Sequence, residues 1–424
     1  MSIKQGDKLD IQVWADWSGM RGPQMMGTLS SIMTRGKEIF LFDYSQTWLN
    51  SPFAQILDPA LQLFKGSQFN NSQKENFGLF LDSAPDRWGR ILQKRRASIQ
   101  ARKAKEKEPL LLESDYLLGV YDRHRLGALR FRKKSDGPFV NDDSEFSAPP
   151  FTHIRELEAA SWAIENESSI KKSDEEKWIR MLIAPGGSLG GARPKASVLS
   201  EDGHLWIAKF PSREDVHDSG AWEYIVHQLA KKSGIEVPSA KAHIFGGTQH
   251  TFLLKRFDRE QEKRIHFASA MTLLDKMDGD GAAEGSSYLE LAEFIIREGG
   301  RVDQDLAQLW SRIVFYICVS NTDDHLRNHG FLLTSKGWIL SPAYDMNPNP
   351  NGNGLKLNIS EADNSQDFDL VLAMAPYFRL NQSQAEKIIK RIVSVVQDWR
   401  ILARQMKISR ANTQQMERAF RLVD

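Results

Sequence analysis

Hydrophobic and polar residues follow two kinds of pattern along the chain, and each predicts a different kind of element. Near the start, three short apolar runs are separated by glycines, which is typical of a small β-sheet. These predicted strands are Ile11–Trp17, Met26–Ile32 and Ile39–Tyr44. Longer segments with apolar residues at helical spacing, or with capping residues, predict α-helices. The predicted helices are Pro52–Phe64, a helix capped by Ser83 with Pro85 in its first turn, Ile154–Asn166, Ser219–Lys232, Ser287–Arg297, Val302–Val319 and Asn381–Trp399.

Further strands are predicted in pairs, each pair joined by a turn. They are Lys195–Leu199 with the strand that carries Lys209, the runs near His243–Phe245 and Thr251–Phe257, and the runs Gly330–Thr334 and Trp338–Leu340 with a turn at Gly337. The polar segment 133–150 is rich in proline, serine and aspartate, which indicates a linker. We therefore predict domains over residues 1–132, 151–258 and 259–424.

Composition excludes several classes of protein. The chain has 424 residues with 56 basic and 55 acidic side chains, so its net charge of +1 predicts no general attraction to nucleic acid or membrane. The basic run from Arg87 to Lys107 is typical of a solvated helix face; the alternative is a docking surface for an acidic partner or DNA. The single cysteine, Cys318, is expected to be buried and excludes a disulfide framework. The polar N-terminus and the lack of a bilayer-spanning apolar run lead us to expect a cytoplasmic protein without a membrane partner.

The stretch from Asn321 to Asp345 carries the densest candidate chemistry. Asp323, His325 and Asn328 form a D-x-H-x-x-N cluster, and the following hairpin should bring Asn328 beside Asp345. Magnesium-dependent phosphoryl transfer uses an Asn and an Asp to hold the metal and another Asp to orient the attacking hydroxyl. Zinc held by His325 and His329 is the alternative, but the glutamate of an H-E-x-x-H motif is missing.

A glycine-rich loop precedes the predicted strand Lys195–Leu199. Its glycines let the backbone approach phosphate oxygens closely, although such loops are more often plain turns. A strand carrying Lys209 follows, as in kinases that hold ATP phosphates with a strand lysine. Glu223 is its predicted partner, and the alternative is that Glu223 is a surface glutamate. The loop is neither a G-x-G-x-x-G nor a Walker A sequence. The glycines are Gly186, Gly187, Gly190 and Gly191.

These motifs together resemble the HipA family of bacterial serine/threonine kinases, the toxins of toxin-antitoxin pairs. The resemblance covers essentially the whole chain. It implies a fold that is α/β plus all-α: a bilobal, protein-kinase-like architecture with an N-terminal β-rich subdomain and an all-helical C-terminal lobe. The motifs are SLGGARPKASV at Ser188–Val198, WIAKFPS at Trp206–Ser212, KRFDR at Lys255–Arg259, NTDDHLRN at Asn321–Asn328 and LSPAYDM at Leu340–Met346.

The resemblance implies a role for each matching residue. Asp323 corresponds to the catalytic aspartate, Asn328 and Asp345 to the magnesium ligands, and Ser188 to a serine that family members autophosphorylate in trans to switch themselves off. Phosphate on a loop built to cradle phosphate would repel ATP. The implied nucleotide-binding residues are Ser188, Leu189, Gly190, Gly191, Ala192, Lys195, Lys209, Lys255, Arg256, Phe257, Asp258, His325, Asn328 and Asp345.

The resemblance also implies partners. Family members use ATP and Mg²⁺, phosphorylate an aminoacyl-tRNA synthetase, often the glutamyl enzyme, and bind a small helix-turn-helix antitoxin that contacts operator DNA. Two rival hypotheses remain open: a lipid or small-molecule kinase, because D-x-H-x-x-N also resembles the loop of phosphoinositide kinases, and a catalytically minor co-repressor that acts with the antitoxin on DNA.

Overall fold

The structure is a computed structural model that describes residues 8–424 except 72, 135, 142–147, 167–175, 177, 180, 183–190 and 192. The described strands are β1 Lys8–Ala15, β2 Gln24–Thr34, β3 Lys37–Tyr44, β4 Gln68–Phe69, β5 Leu129–Arg132, β6 Lys195–Leu199, β7 Leu205–Lys209, β8 Ala240–His243, β9 Thr251–Lys255, β10 Arg259–Glu260, β11 Lys263–Arg264, β12 Phe267–Ser269, β13 Gly330–Thr334 and β14 Gly337–Leu340. The described α-helices are α1 Gln46–Leu49, α2 Gly78–Leu81, α3 Arg87–Ala104, α4 Glu113–Gly119, α5 Ile154–Glu165, α6 Ser219–Lys232, α7 Ala270–Leu273, α8 Tyr288–Glu298, α9 Val302–Val319, α10 Phe368–Met374, α11 Gln382–Val396, α12 Trp399–Gln405 and α13 Arg410–Met416.

The chain divides into two compact units. The first contains residues 1–213 together with 258–268, and the second contains residues 214–257 and 269–424. The chain thus leaves the first unit, begins the second, and returns briefly to the first. The predicted domain boundaries, which follow sequence composition, stay predictions.

The first unit is built on a five-stranded antiparallel sheet of order β4-β3-β2-β1-β5. Ile11, Leu29 and Phe42 lie opposite one another across β1, β2 and β3, and all three are fully buried. Alternate residues of each strand face this core because side chains of a strand point to opposite faces. The predicted N-terminal sheet is confirmed.

The short return segment 258–268 is bonded into the first unit by charged side chains. Asp258 Oδ2 accepts a hydrogen bond from the amide of Gly127 at 2.9 Å. Arg264 Nη2 lies 2.9 Å from Asp122 Oδ2, and Arg130 bonds to the same carboxylate. Asp122 is 1% exposed, so these guanidinium groups satisfy a carboxylate that has left water.

Of two helix predictions in the first unit, one is wrong and the other is wrong at its start. Residues 52–64 form turns rather than a helix, because buried Asp58 fixes the backbone there by accepting hydrogen bonds from Ala60 N and Leu79 N, both at 2.9 Å. The helix assigned to a Ser83 cap begins later. Asp86 caps α3 by accepting a hydrogen bond from Gly89 N at 2.8 Å, so Pro85 precedes the helix.

The second unit is organised around α9, which the sequence predicts residue for residue. Every side chain from Leu309 to Val319 is buried. The N-terminal end of α9 holds the β13–β14 hairpin, because Asp305 Oδ2 accepts a hydrogen bond from Leu340 N at 2.9 Å. The predicted hairpin is confirmed, and Gly337 at its turn has φ 115°, a backbone conformation that favours glycine.

The predicted helix Asn381–Trp399 is two helices, α11 and α12, with a break after Val396. Asn381 caps the first by accepting a hydrogen bond from Gln384 N at 2.9 Å. Trp399 then stacks on Phe420 with ring centroids 4.4 Å apart, so the break turns an aromatic side chain toward the end of the chain. The strand predicted near residues 243–245 lies earlier, at β8.

Cys318 is fully buried, as predicted, and burial raises the pKa of its thiol.

Among the described residues, no helix combines the length and the apolar character that crossing a membrane requires.

Candidate active site

The candidate catalytic loop begins where α9 ends. Ser320 adopts a left-handed conformation with φ 49°, which stops the helix and turns the chain away from its axis. Asn321 then accepts a hydrogen bond on Oδ1 from Asn347 N at 3.1 Å. Because α9 is buried on all sides from Leu309 to Val319, the loop that carries Asp323 leaves a rigid support.

Asn328 is oriented by one hydrogen bond within this loop. Its Nδ2 donates to the carbonyl oxygen of Asp323 at 3.0 Å, which turns Oδ1 the other way. Oδ1 is buried and has no hydrogen-bond partner among the described residues. A buried amide oxygen without a donor is costly, so a ligand at this position would satisfy it.

The hairpin brings the far end of the motif back to the loop, as the sequence predicts. The residues that precede Asn328 and Asp345 are bonded to each other, because Tyr344 OH donates to the carbonyl of Arg327 at 2.6 Å. Asp345 has φ 57°, a conformation that few residues except glycine, asparagine and aspartate adopt readily. Strained backbone of this kind concentrates at functional sites.

Asp323 lies in a strongly acidic environment. Its side chain is solvent-exposed, yet neighbouring protein atoms remove part of its hydration, and this desolvation raises the pKa of its carboxyl group. The carboxylates of Asp345 and Asp324 raise the pKa further, whereas His325 and Lys356 act in the opposite direction. A carboxylate with a raised pKa is a better proton acceptor near neutral pH.

Asp324, which the sequence analysis did not single out, anchors the same loop through buried hydrogen bonds. Its Oδ2 accepts hydrogen bonds from Tyr288 OH at 2.8 Å and from His329 Nε2 at 2.6 Å. All three side chains are buried. The two adjacent aspartates of the motif, Asp323 and Asp324, were the only local sign of this residue. Its partner Tyr288 lies 36 positions away, and no sequence spacing links Tyr288 to Asp324.

This network bears on the zinc alternative, because His329 is engaged with Asp324. The part of the chain that the structure describes contains no group of three or more His, Cys, Asp or Glu side chains that could hold a metal ion. The pair Asn328 and Asp345 is not such a group, because it contains only one of these residue types and only two side chains. Mg²⁺ commonly takes one or two protein oxygens and completes its shell with phosphate and water. The orphaned Asn328 Oδ1 and the Asp345 carboxylate therefore fit magnesium bound together with a nucleotide.

Two lysines predicted to contact the nucleotide lie in the first unit. Lys195 on β6 and Lys209 on β7 are directly opposite each other in the antiparallel pair, so both side chains leave the same face. Both lysines are buried. Lys195 Nζ lies 2.7 Å from Asp86 Oδ2, an ion pair that the sequence analysis missed.

The remaining predicted residues lie in several settings. Glu223 is buried on α6, and its pairing with Lys209 stays a prediction. Lys255–Asp258 are among the nucleotide-binding residues that the resemblance implies. In this segment, Lys255 N donates to Ser239 O at 2.8 Å, and the Phe257 ring lies 5.4 Å from that of Tyr344.

Two more residues of that segment are buried charges. Arg256 is 4% exposed and Asp258 is 1% exposed. The Asp258 carboxylate bonds to Gly127 N and to Arg259 Nη1, the latter at 2.6 Å, which indicates a structural task for this side chain. The loop residues Gly186, Gly187, Ser188, Leu189, Gly190 and Ala192 lie outside the described residues; Gly191 is described, with φ 86°.

Comparison with known proteins places the chain in a family. Residues 187–399, half of the chain, match the family model of the HipA-like C-terminal domain. The chain belongs to this family. The solved structure of the Shewanella oneidensis MR-1 toxin antitoxin system HipA, HipB and its operator DNA complex contains a chain with a TM-score of 0.63 at 19% identity, over 94% of this chain and 95% of that one. The predicted HipA-like fold, with a β-rich N-terminal part and a helical C-terminal part, is confirmed.

A curated relative matches a shorter stretch. A Haemophilus influenzae protein described as a "putative kinase" is 29% identical over 179 residues, which cover 38% of this chain and 52% of that protein. The chain thus spans about half the length of the curated relative it matches.

Proposed function

We propose that the protein is an ATP- and Mg²⁺-dependent serine/threonine protein kinase. The observation that carries the proposal is the loop geometry. Asn328 holds a buried oxygen that has no hydrogen-bond partner among the described residues, and Asp345, across the hairpin, lies close enough to raise the pKa of Asp323. Two oxygen ligands beside a separate proton-accepting carboxylate is the arrangement that phosphoryl transfer requires. Membership of the HipA-like family and the relative described as a kinase support the same conclusion.

Each residue has a distinct task in this mechanism. Asp323 orients a substrate hydroxyl and accepts its proton, and its raised pKa suits that role. Asn328 and Asp345 would hold the magnesium ion. Lys209, which is buried on β7, would bind phosphate oxygens, as the strand lysine of protein kinases does. ATP supplies the phosphoryl group, and Mg²⁺ offsets the charge of its oxygens.

Removal of the Asp323 carboxylate tests the assignment. Asp323→Gln places a polar amide, one methylene longer, where the carboxylate was, and the amide cannot accept a proton. Transfer of ³²P from ATP to a protein should therefore fall at least about 100-fold, the usual contribution of a general base. Asp303→Asn is the matched control, because Asp303 is an exposed acid paired with Arg379 outside the loop. Transfer by Asp323→Gln at the wild-type rate would refute the role.

The biological setting is also a proposal. We infer that the kinase is the toxin of a type II toxin-antitoxin pair. Its proposed substrate is an aminoacyl-tRNA synthetase, and the glutamyl enzyme is the first target to test. A helix-turn-helix antitoxin would link the kinase to operator DNA. The fold similarity to a chain of a HipA, HipB and operator DNA complex supports this setting. Autophosphorylation of Ser188 would switch the kinase off. A phosphoproteome after brief induction, with the Asp323→Gln variant as the blank, would identify the substrate.

A further inference from the structure

Helix α3 and strand β6 are joined at a single residue, Lys195. The Asp86 carboxylate, which caps α3, lies 2.7 Å from Lys195 Nζ, and Trp88 Nε1 donates a hydrogen bond to the Lys195 carbonyl at 3.1 Å. Asp86, Trp88 and Lys195 are 5%, 2% and 1% exposed, so the junction is closed to water. It joins residues 109 positions apart in the sequence.

The Lys195 ammonium also reaches the glycine-rich loop. Its Nζ lies 3.5 Å from the carbonyl oxygen of Gly191, the last glycine of that loop. Gly191 has φ 86°, and an added Cβ would lie 3.9 Å from Nζ. One ammonium group therefore contacts the start of α3 and the end of the loop at the same time.

Stability alone gives little reason for a buried ion pair between Asp86 and Lys195. A buried ion pair is often no more stabilising than apolar side chains of similar size, because both charges lose their hydration. Here the cost is greater, because Lys209 lies directly opposite Lys195 and like charges at such positions repel. The Asp86 carboxylate offsets the charge of one of these two lysines, Lys195.

We propose that Asp86 is a positioning residue for nucleotide binding: it holds the Lys195 ammonium beside the glycine-rich loop and offsets its charge next to Lys209. This inference rests on the proposed kinase function and extends it, because it assigns part of the nucleotide site to the N-terminal subdomain. Asp86 acts through Lys195 and is not required to touch the nucleotide.

The test separates the charge of Asp86 from its capping role. Asn and Asp cap helices equally well, so Asp86→Asn keeps the hydrogen bond to Gly89 N and removes only the charge. The dissociation constant of Mg²⁺-ATP, measured by calorimetry, should rise about tenfold, which corresponds to ~1.4 kcal/mol. Asp86→Glu keeps a displaced carboxylate and should be intermediate. Asp367→Asn is the matched control, since Asp367 caps α10 in the second unit, and its dissociation constant should equal that of the wild type.

A structural role alone predicts a different outcome. Trp88→Phe removes the hydrogen bond to the Lys195 carbonyl and part of a buried ring but leaves the Asp86 carboxylate in place, so it should lower the melting temperature and leave Mg²⁺-ATP affinity unchanged. If Asp86→Asn does not fold, Asp86→Glu carries the test and must weaken binding more than Trp88→Phe does. Wild-type affinity in a folded Asp86→Asn, or tighter binding, would overturn the inference alone. A wild-type protein that does not bind Mg²⁺-ATP would overturn the proposed function and the inference with it.

Discussion

Replacement of Tyr288 by phenylalanine removes one hydroxyl group that contacts the candidate catalytic loop. The hydroxyl donates to Asp324 Oδ2 at 2.8 Å, and both side chains are almost completely buried. A hydrogen bond to a charged group contributes about 1.5–3 kcal/mol, so the free energy of unfolding should fall by that amount in Tyr288→Phe. His329 still donates to Asp324, which keeps the loss below that of an unpaired buried charge.

Urea denaturation followed by tryptophan fluorescence measures this change as a shift in midpoint at constant slope. Tyr377→Phe is the matched control because Tyr377 is 58% exposed, and its midpoint should not move. A loss of less than about 0.5 kcal/mol in Tyr288→Phe, the usual range for surface substitutions, would refute the reasoning that the Asp324 network supports the loop.

Three further predictions concern the nucleotide, the loop and pH. Asp345→Asn should weaken Mg²⁺-ATP binding about tenfold or more, since asparagine keeps the left-handed backbone but removes a ligand charge; unchanged calorimetric affinity would contradict the metal role. Purified protein should be partly phosphorylated at Ser188, and an intact-mass spectrum of Ser188→Ala that still shows an added phosphate would argue against that site. Burial lowers the pKa of His266 to about 3, so only the unfolded chain takes up its proton between pH 6.5 and 3. The free energy of unfolding should therefore decrease below pH 6.5 by up to ~1.4 kcal/mol per pH unit, and His266→Phe should flatten that decrease.

Local patterns in the sequence predict most of the fold. The bounds of α6, α9 and β13 follow from apolar periodicity and turn residues, because these elements are determined by which face of each segment is buried. Residues 52–64 defeat the same reasoning. Their turns depend on Asp58, whose partner Leu79 is contributed by another part of the chain.

The candidate site is predictable only in its motif. Asp323, Asn328 and Asp345 are recognisable because a hairpin fixes their separation, and the structure brings the ends of that hairpin together as expected. The ion pair of Asp86 with Lys195 and the bond of Tyr288 to Asp324 join distant segments, and no local spacing encodes such contacts. Pairing of Glu223 with Lys209 stays a prediction.

The return of residues 258–268 to the first unit constrains how the protein can fold during synthesis. Domains generally fold as units while the chain emerges from the ribosome, N-terminal part first. Here Arg264 can donate its hydrogen bond to Asp122, and Gly127 N can donate to Asp258, only after more than half of the chain has been translated. Until residues 258–268 have been synthesised, Asp122 in the nascent first unit lacks the guanidinium group of Arg264. The first unit can therefore be completed only after residues 214–257, which belong to the second unit, have also been synthesised.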